Sequence, residues 1–102
     1  MQISMQSNGN AAQLSLAGSF EFQTHREFRE AYDAALADPA IESLEINLAR
    51  VNYIDSSALG MLLVLRDRAK AVSKNIVLTG LHGSVEQVLE VANFGKLFSI
   101  RR

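Results

Sequence analysis

The sequence predicts an α/β fold: a mixed, mainly parallel β-sheet with helices packed on it, in the order β-β-α-β-α-β-α-β. Three observations carry this. Apolar and polar side chains alternate on both sides of Asn8-Gly9-Asn10, the pattern of a β-hairpin. Three later segments set apolar residues at helical spacing. Short apolar runs stand between those segments, and strands that alternate with helices pair in parallel.

The hairpin opens with apolar Met1, Ile3 and Met5 between polar Gln2, Ser4 and Gln6, and its second arm carries Leu14 and Leu16. A helix is predicted from Thr24, where Thr24 and Glu27 have the spacing of a capping box. Phe28, Ala31, Tyr32, Ala35 and Leu36 form its apolar stripe, while Arg26, Glu30 and Asp33 face water. Asp38-Pro39 ends it, because the residue before proline avoids helical angles. Ser43 to Leu48 alternates as a strand and leads into a loop, in which Val51 and Ile54 approach Asp55. A second helix runs from Ser57 to about Val72. Ile76-Val77-Leu78 after Asn75 is a buried strand by its length and branching. Ser84 and Gln87 form a second capping-box candidate, starting a third helix with Val85, Val88, Leu89 and Ala92 on one face. It ends near Asn93 to Gly95, before a last short strand around Leu97 to Ile100. No linker or repeat divides residues 1–102, which read as a single domain.

Composition narrows the function classes. The 102 residues are 48% hydrophobic and 21% charged, the balance of an ordinary globular chain. With no cysteine, disulfides, thiolate metal sites and a cysteine nucleophile are excluded together. The start has neither the basic residues nor the apolar run of a signal peptide, and no run approaches a membrane span, so a cytoplasmic protein without membrane attachment is expected. Formal net charge is −1 and the basic residues are scattered, apart from Arg101 and Arg102, which argues against nucleic acid as a partner.

The most informative stretch runs from Val51 to Leu63, where a loop delivers Asp55, Ser56 and Ser57 to the start of the second helix. A serine at the cap position is held at the surface, where the helix dipole favours negative charge. A phosphate added there is stabilised by the free amides. The same residues also serve as ordinary caps, and the local sequence is compatible with both readings. The helix adds a second signal. Ala58, Leu62, Leu65, Ala69 and Val72 already make a complete buried stripe, so Leu59, Met61, Leu63 and Val64 are surplus. Either another element covers them or they form a docking patch beside the serines, with Met61 and Leu63 the expected exposed members. Gly60 costs the helix about 1 kcal/mol relative to alanine. This points to something packing close to the backbone there, from this chain or from a partner.

The run Val51 to Leu63, centred on Asp55-Ser56-Ser57-Ala58-Leu59-Gly60, resembles the signature of STAS domains, specifically bacterial anti-sigma factor antagonists. The resemblance covers essentially the whole chain, with Gly18, Leu44 to Leu48, Ile76 to Gly80, the Val85 to Phe94 segment and Leu97-Phe98-Ser99-Ile100 in the expected order. It implies partner switching. Ser56 is the residue phosphorylated, with Ser57 the fallback, by an ATP-binding anti-sigma factor that is also a serine kinase. A PP2C-type phosphatase resets the switch, and this chain needs no cofactor of its own. Asp55, Ser57, Ala58, Leu59, Gly60, Met61 and Leu63 are the implied partner-binding residues. Three departures stand out. Ala58 replaces a more usual glycine, the acid near Gly18-Ser19-Phe20-Glu21-Phe22 is offset, and the ending at Arg102 leaves no room for a further helix found in many members.

Two other readings compete with this one. An enzyme would need His25 or His82, the only histidines, as a base for Ser56, and both lie at ordinary surface positions. Gly80-Leu81-His82-Gly83-Ser84 lacks the lysine and spacing of a phosphate loop. Non-catalytic alternatives are a constitutive STAS-like subunit of a lipid-transport ATPase and a nucleotide-sensing module.

Overall fold

The computed structural model describes residues 1–101; Arg102 lies outside the described residues. Five strands, β1 (Gln2–Asn8), β2 (Ala11–Phe20), β3 (Ser43–Ile54), β4 (Asn75–Thr79) and β5 (Ser99–Arg101), form one sheet in sequence order. β1 pairs with β2 antiparallel, and every other neighbouring pair is parallel. The helices α1 (His25–Ala37), α2 (Ser56–Ala71) and α3 (Gly83–Val91) are the three crossovers. Each crossover steps in the same direction across the sheet, so right-handed connections put all three helices on one face. The expected element order and the parallel β3–β4 pairing are both present.

The hairpin loop is two residues, Gly9 and Asn10, with Asn8 opposite Ala11. Gly9 takes φ +66° at the first loop position, where a turn that follows the twist of the strands needs a glycine. From there Ile3 lies opposite Leu16 and Met5 opposite Leu14. The core lies between sheet and helices. Leu14, Leu16 and Phe20 of β2, Leu44, Ile46 and Leu48 of β3, and Leu78 of β4 meet Phe28 of α1, Leu62 and Leu65 of α2 and Leu89 of α3, all at most 1% exposed. Phe28 stacks edge-on between Phe20 and Tyr32, with ring centroids 5.0 and 5.2 Å away.

Three boundaries differ from the sequence reading. β3 does not stop at Leu48 but continues to Ile54. Its register against β2 shifts between Ser15 and Ala17 and again between Gly18 and Ser19, each time with one extra residue on β3. These two bulges stretch the spacing of inward residues from two to three, so Leu48, Val51 and Ile54 are all buried on one strand. Neither capping box forms. The Thr24 hydroxyl donates to the Glu21 carbonyl at 2.6 Å, closing a short 3-10 turn (Phe22–Thr24) ahead of α1. His82, rather than Ser84, precedes α3, with no side-chain cap bond.

The face of the sheet away from the helices is polar. On it Glu45 accepts from Gln13 Nε2 at 2.8 Å, from Thr79 Oγ1 at 2.7 Å and from Arg101 Nη2 at 2.6 Å, tying β2, β4 and β5 to β3. Burial pushes the Glu45 carboxyl up, but the hydrogen bonds from Thr79 and Gln13 and the Arg101 guanidinium outweigh it and hold the group below the usual glutamate range.

Two predictions follow from this packing. A depressed carboxyl stabilises the fold above its unfolded pKa of about 4.3, and that contribution disappears as pH falls through the lower folded value. Urea unfolding of wild type against Glu45→Gln should therefore show a stability difference at neutral pH that shrinks below pH ~4; a pH-independent difference would contradict the network. Gly80 combines φ +71° with a place where a Cβ would sit 2.6 Å from the Ala49 nitrogen. Gly80→Ala should cost about 2–5 kcal/mol from overpacking and the left-handed backbone, read as a lowered Tm.

Candidate functional site

The site is built at the end of β3. Ile54 completes the strand, and Asp55 turns the chain into α2 with φ −102° and ψ 175°. Its Oδ1 accepts from Ala58 N at 2.9 Å, the cap of the helix, while Oδ2 accepts from Phe22 N at 3.3 Å. The Asp55 backbone N–H donates to the Phe20 carbonyl at 3.2 Å. One residue thus fixes the start of α2 and the connection leaving β2.

Ser56 is therefore not the cap. It is the first residue of α2, one position inside the helix, and Asp55 takes the capping role. The physical reason is that aspartate and serine cap about equally well, and here the aspartate also reaches Phe22 N. The Ser56 side chain is exposed, and no hydrogen bond to the described residues engages its hydroxyl. Ser57 is exposed beside it, and both stand in the first turn, where backbone N–H groups lack helical partners.

The surplus apolar residues divide differently from expectation. Leu59, Met61 and Leu63 are half-buried and packed against the core, whereas Val64 is 46% exposed. Met61 and Leu63 are thus not the open members of the patch; flanking contacts with the core take up part of each. Ala58, expected among the partner-binding residues, is instead fully buried in the first turn of α2 and offers no surface to a partner. Among the described residues, no other element comes within 4 Å of where a Gly60 Cβ would sit, so the close packing expected there is not supplied by them. Gly60 instead forms the floor of an open groove of about 440 Å³ between α1 and α2, walled by Phe22, Tyr32, Ser57, Met61 and Val64. A shallower groove of about 300 Å³ runs along the other side of α2, between Leu59 and the α3 residues Val88 and Val91.

Two contributors were not singled out from the sequence. Phe22 is 60% exposed, its ring stacked on His25 at 4.8 Å between centroids, and Tyr53 is 51% exposed two residues before Asp55. Phe22 stands in the short 3-10 turn and Tyr53 at the end of β3, and the available signal was a pair of aromatics outside the segments with clear apolar periodicity. His25 Nδ1 lies 2.9 Å from the Phe22 carbonyl, so its ring is engaged with the loop. Among the described residues no cluster of three or more His, Asp or Glu side chains is arranged to hold a metal ion, and no helix is long and apolar enough to cross a membrane. An exposed hydroxyl on a helix N-terminus, next to an apolar groove with an aromatic rim, has the make-up of a binding surface with a modifiable group at its edge.

Comparison with known proteins agrees with this architecture. A STAS-domain protein of Pseudomonas aeruginosa (strain UCBPP-PA14) is 37% identical over 93 residues, covering 91% of this chain and 90% of that protein. Among solved structures, a putative anti-sigma factor antagonist from Thermotoga maritima superposes with a TM-score of 0.85 at 18% identity, over 96% of this chain and 84% of that one. The phosphorylated form of the Bacillus cell fate determinant SpoIIAA superposes with a TM-score of 0.75 at 17% identity, over 99% and 92% of the two chains. At those identities the structures share the fold. The family model described as Mlab, STAS domain matches residues 3–100, and the chain belongs to that STAS family.

Proposed function

We propose that this protein is an anti-sigma factor antagonist of a cytoplasmic partner-switching pathway, and that phosphorylation of Ser56 turns it off. The observation that carries the reading is the exposed Ser56 hydroxyl on the first turn of α2, free of any capping duty and next in sequence to Ser57, which lines the groove together with Gly60. SpoIIAA, which shares the fold and has a phosphorylated form, supports it. Unmodified, the first half of α2 with Asp55, Ser57, Leu59, Met61, Leu63 and the rim of Phe22 and Val64 docks on an ATP-binding serine kinase that doubles as anti-sigma factor. This chain contributes a binding surface and a phosphoacceptor and no catalysis.

Phosphate brings about −1.5 to −2 charges to Ser56. The helix N-terminus accommodates an anion, so the fold survives. The interface does not, for two reasons. The dianion must be desolvated against an apolar partner surface, and it stands next to the Asp55 carboxylate that holds Ala58 N and Phe22 N. Two anions then stand side by side at the start of α2, placing concentrated negative charge next to the Phe22 rim of the docking surface. A PP2C-type phosphatase restores the docking state.

A permanent subunit of a larger assembly is the second reading, favoured by the family model's own description as Mlab. The two separate cleanly. The chain isolated from its native cells should carry phosphate on Ser56 in part of the population, and Ser56→Ala should stay bound to the partner under conditions that release wild type. If no condition yields phosphate and Ser56→Asp keeps the same partner as wild type, the protein is a constitutive subunit and the switch is refuted.

Two stability measurements isolate the roles. Because Asp55 is the cap, Asp55→Ala should lose about 0.5–2 kcal/mol of unfolding free energy, while Ser56→Ala should change it by no more than about 0.5 kcal/mol. Val64→Glu should leave Tm within a few degrees of wild type, since the residue is 46% exposed, yet abolish partner capture. Retained capture by that variant would remove the α1–α2 groove from the interface.

A further inference from the structure

We infer that β1 is a homodimerisation edge, along which two copies of this chain join antiparallel about a two-fold axis through Met5 to make one continuous sheet. The two edges of the sheet are built differently. Over the described residues β5 spans Ser99–Arg101 and carries the charged Arg101. β1 runs for seven residues, Gln2–Asn8, pairs with β2 residue for residue without a bulge, and contains no proline and no charged side chain. The absence of charge extends through both arms of the hairpin, since the first Asp, Glu, Lys or Arg in the chain is Glu21. Natural sheets protect an open edge by shortness, charge, proline or a bulge, and β1 uses none of these.

The occupant follows from the ladder. Asn8 and Ala11 close a two-residue loop, so they exchange both backbone hydrogen bonds, and pairing alternates from there. Asn8, Gln6, Ser4 and Gln2 therefore spend their backbone groups on β2, and those of Ser7, Met5 and Ile3 point away from the sheet. That outward set is symmetric about Met5. A second β1 laid antiparallel with Met5 opposite the partner's Met5 sets Ile3 against the partner's Ser7 and Ser7 against the partner's Ile3, and every outward N–H and C=O finds a mate. Met5 is also the large apolar residue that the hairpin leaves half exposed, at 50%. Across the axis each Met5 covers the other, and Ser4 lies beside the partner's Gln6 on the polar face, with no like charges opposed. The pairing uses an edge of the sheet and leaves the α1–α2 groove to a different partner.

Cysteine placement tests this directly, because the chain has no cysteine of its own. At a mutually hydrogen-bonded pair the Cα atoms are about 5.5 Å apart, within the span a disulfide bridges. Met5→Cys should cross-link to a single dimer under mild oxidation. Ser7→Cys should not, since each Ser7 would sit about 14 Å from the partner's Ser7; a mixture of Ile3→Cys and Ser7→Cys should cross-link again. Sedimentation of the unmodified full chain from low-micromolar to submillimolar concentration should show a monomer–dimer equilibrium, and Met5→Lys should weaken it at least about tenfold by opposing two charges on the axis. A chain that stays monomeric over this range overturns the inference, as does one that forms open-ended aggregates. Equal cross-linking of Met5→Cys and Ser7→Cys overturns the register.

Discussion

The arrangement depends on the Asp55 carboxylate more than on any other single group. One oxygen closes the first turn of α2 through Ala58 N, and the other holds Phe22 N, so two connections that are 33 residues apart share one anchor. The backbone of Asp55 adds a third tie to Phe20. An aspartate suits this place because its short side chain reaches N–H groups on both sides while its charge faces the positive end of the helix. Everything proposed about the site presupposes this clamp. It leaves the Ser56 hydroxyl unused, and it positions the Phe22 ring at the mouth of the groove.

The sheet delivers Asp55 to that position through irregularity. Two extra residues in β3 keep Val51 and Ile54 turned inward while the strand lengthens past the point where β4 pairs with it. Gly80 lets the chain leaving β4 pass against Ala49, which a side chain would prevent. The end of the domain that carries the candidate site is thus the end at which regular pairing stops, the usual location for sites in sheets covered by crossover helices. On the opposite face, Glu45 fastens four strands together with polar bonds and leaves that surface hydrated.

Most of the fold was legible because its signals are local. The hairpin showed in the alternation around Gly9, and the helices showed in stripes such as Phe28, Ala31, Tyr32, Ala35 and Leu36, all of them buried except the half-buried Ala31. What was not legible depends on contacts distant in sequence. The spacing of Leu48, Val51 and Ile54 reads as a loop until β2 is known to pair with it across two bulges. Asp55 and Ser56 are interchangeable caps on paper, and only the reach to Phe22 N distinguishes them. Helical periodicity put Val72 in the buried stripe of α2 and left Leu59, Met61, Leu63 and Val64 outside it, whereas Val72 is 49% exposed and Leu59, Met61 and Leu63 are half-buried against the core, a division set by packing in three dimensions. The position of Ser56 at an accessible helix start was the part of the site that the sequence made plain.

The central claim is that a phosphate on Ser56 acts on binding and not on folding. The most direct measurement is a calorimetric titration of the partner kinase with the unmodified chain and with the same chain stoichiometrically phosphorylated on Ser56, alongside the Tm of each form. The account predicts an affinity at least about tenfold lower for the phosphorylated chain, with Tm essentially unchanged. Equal affinities for the two forms would contradict it, and so would a loss of binding accompanied by unfolding.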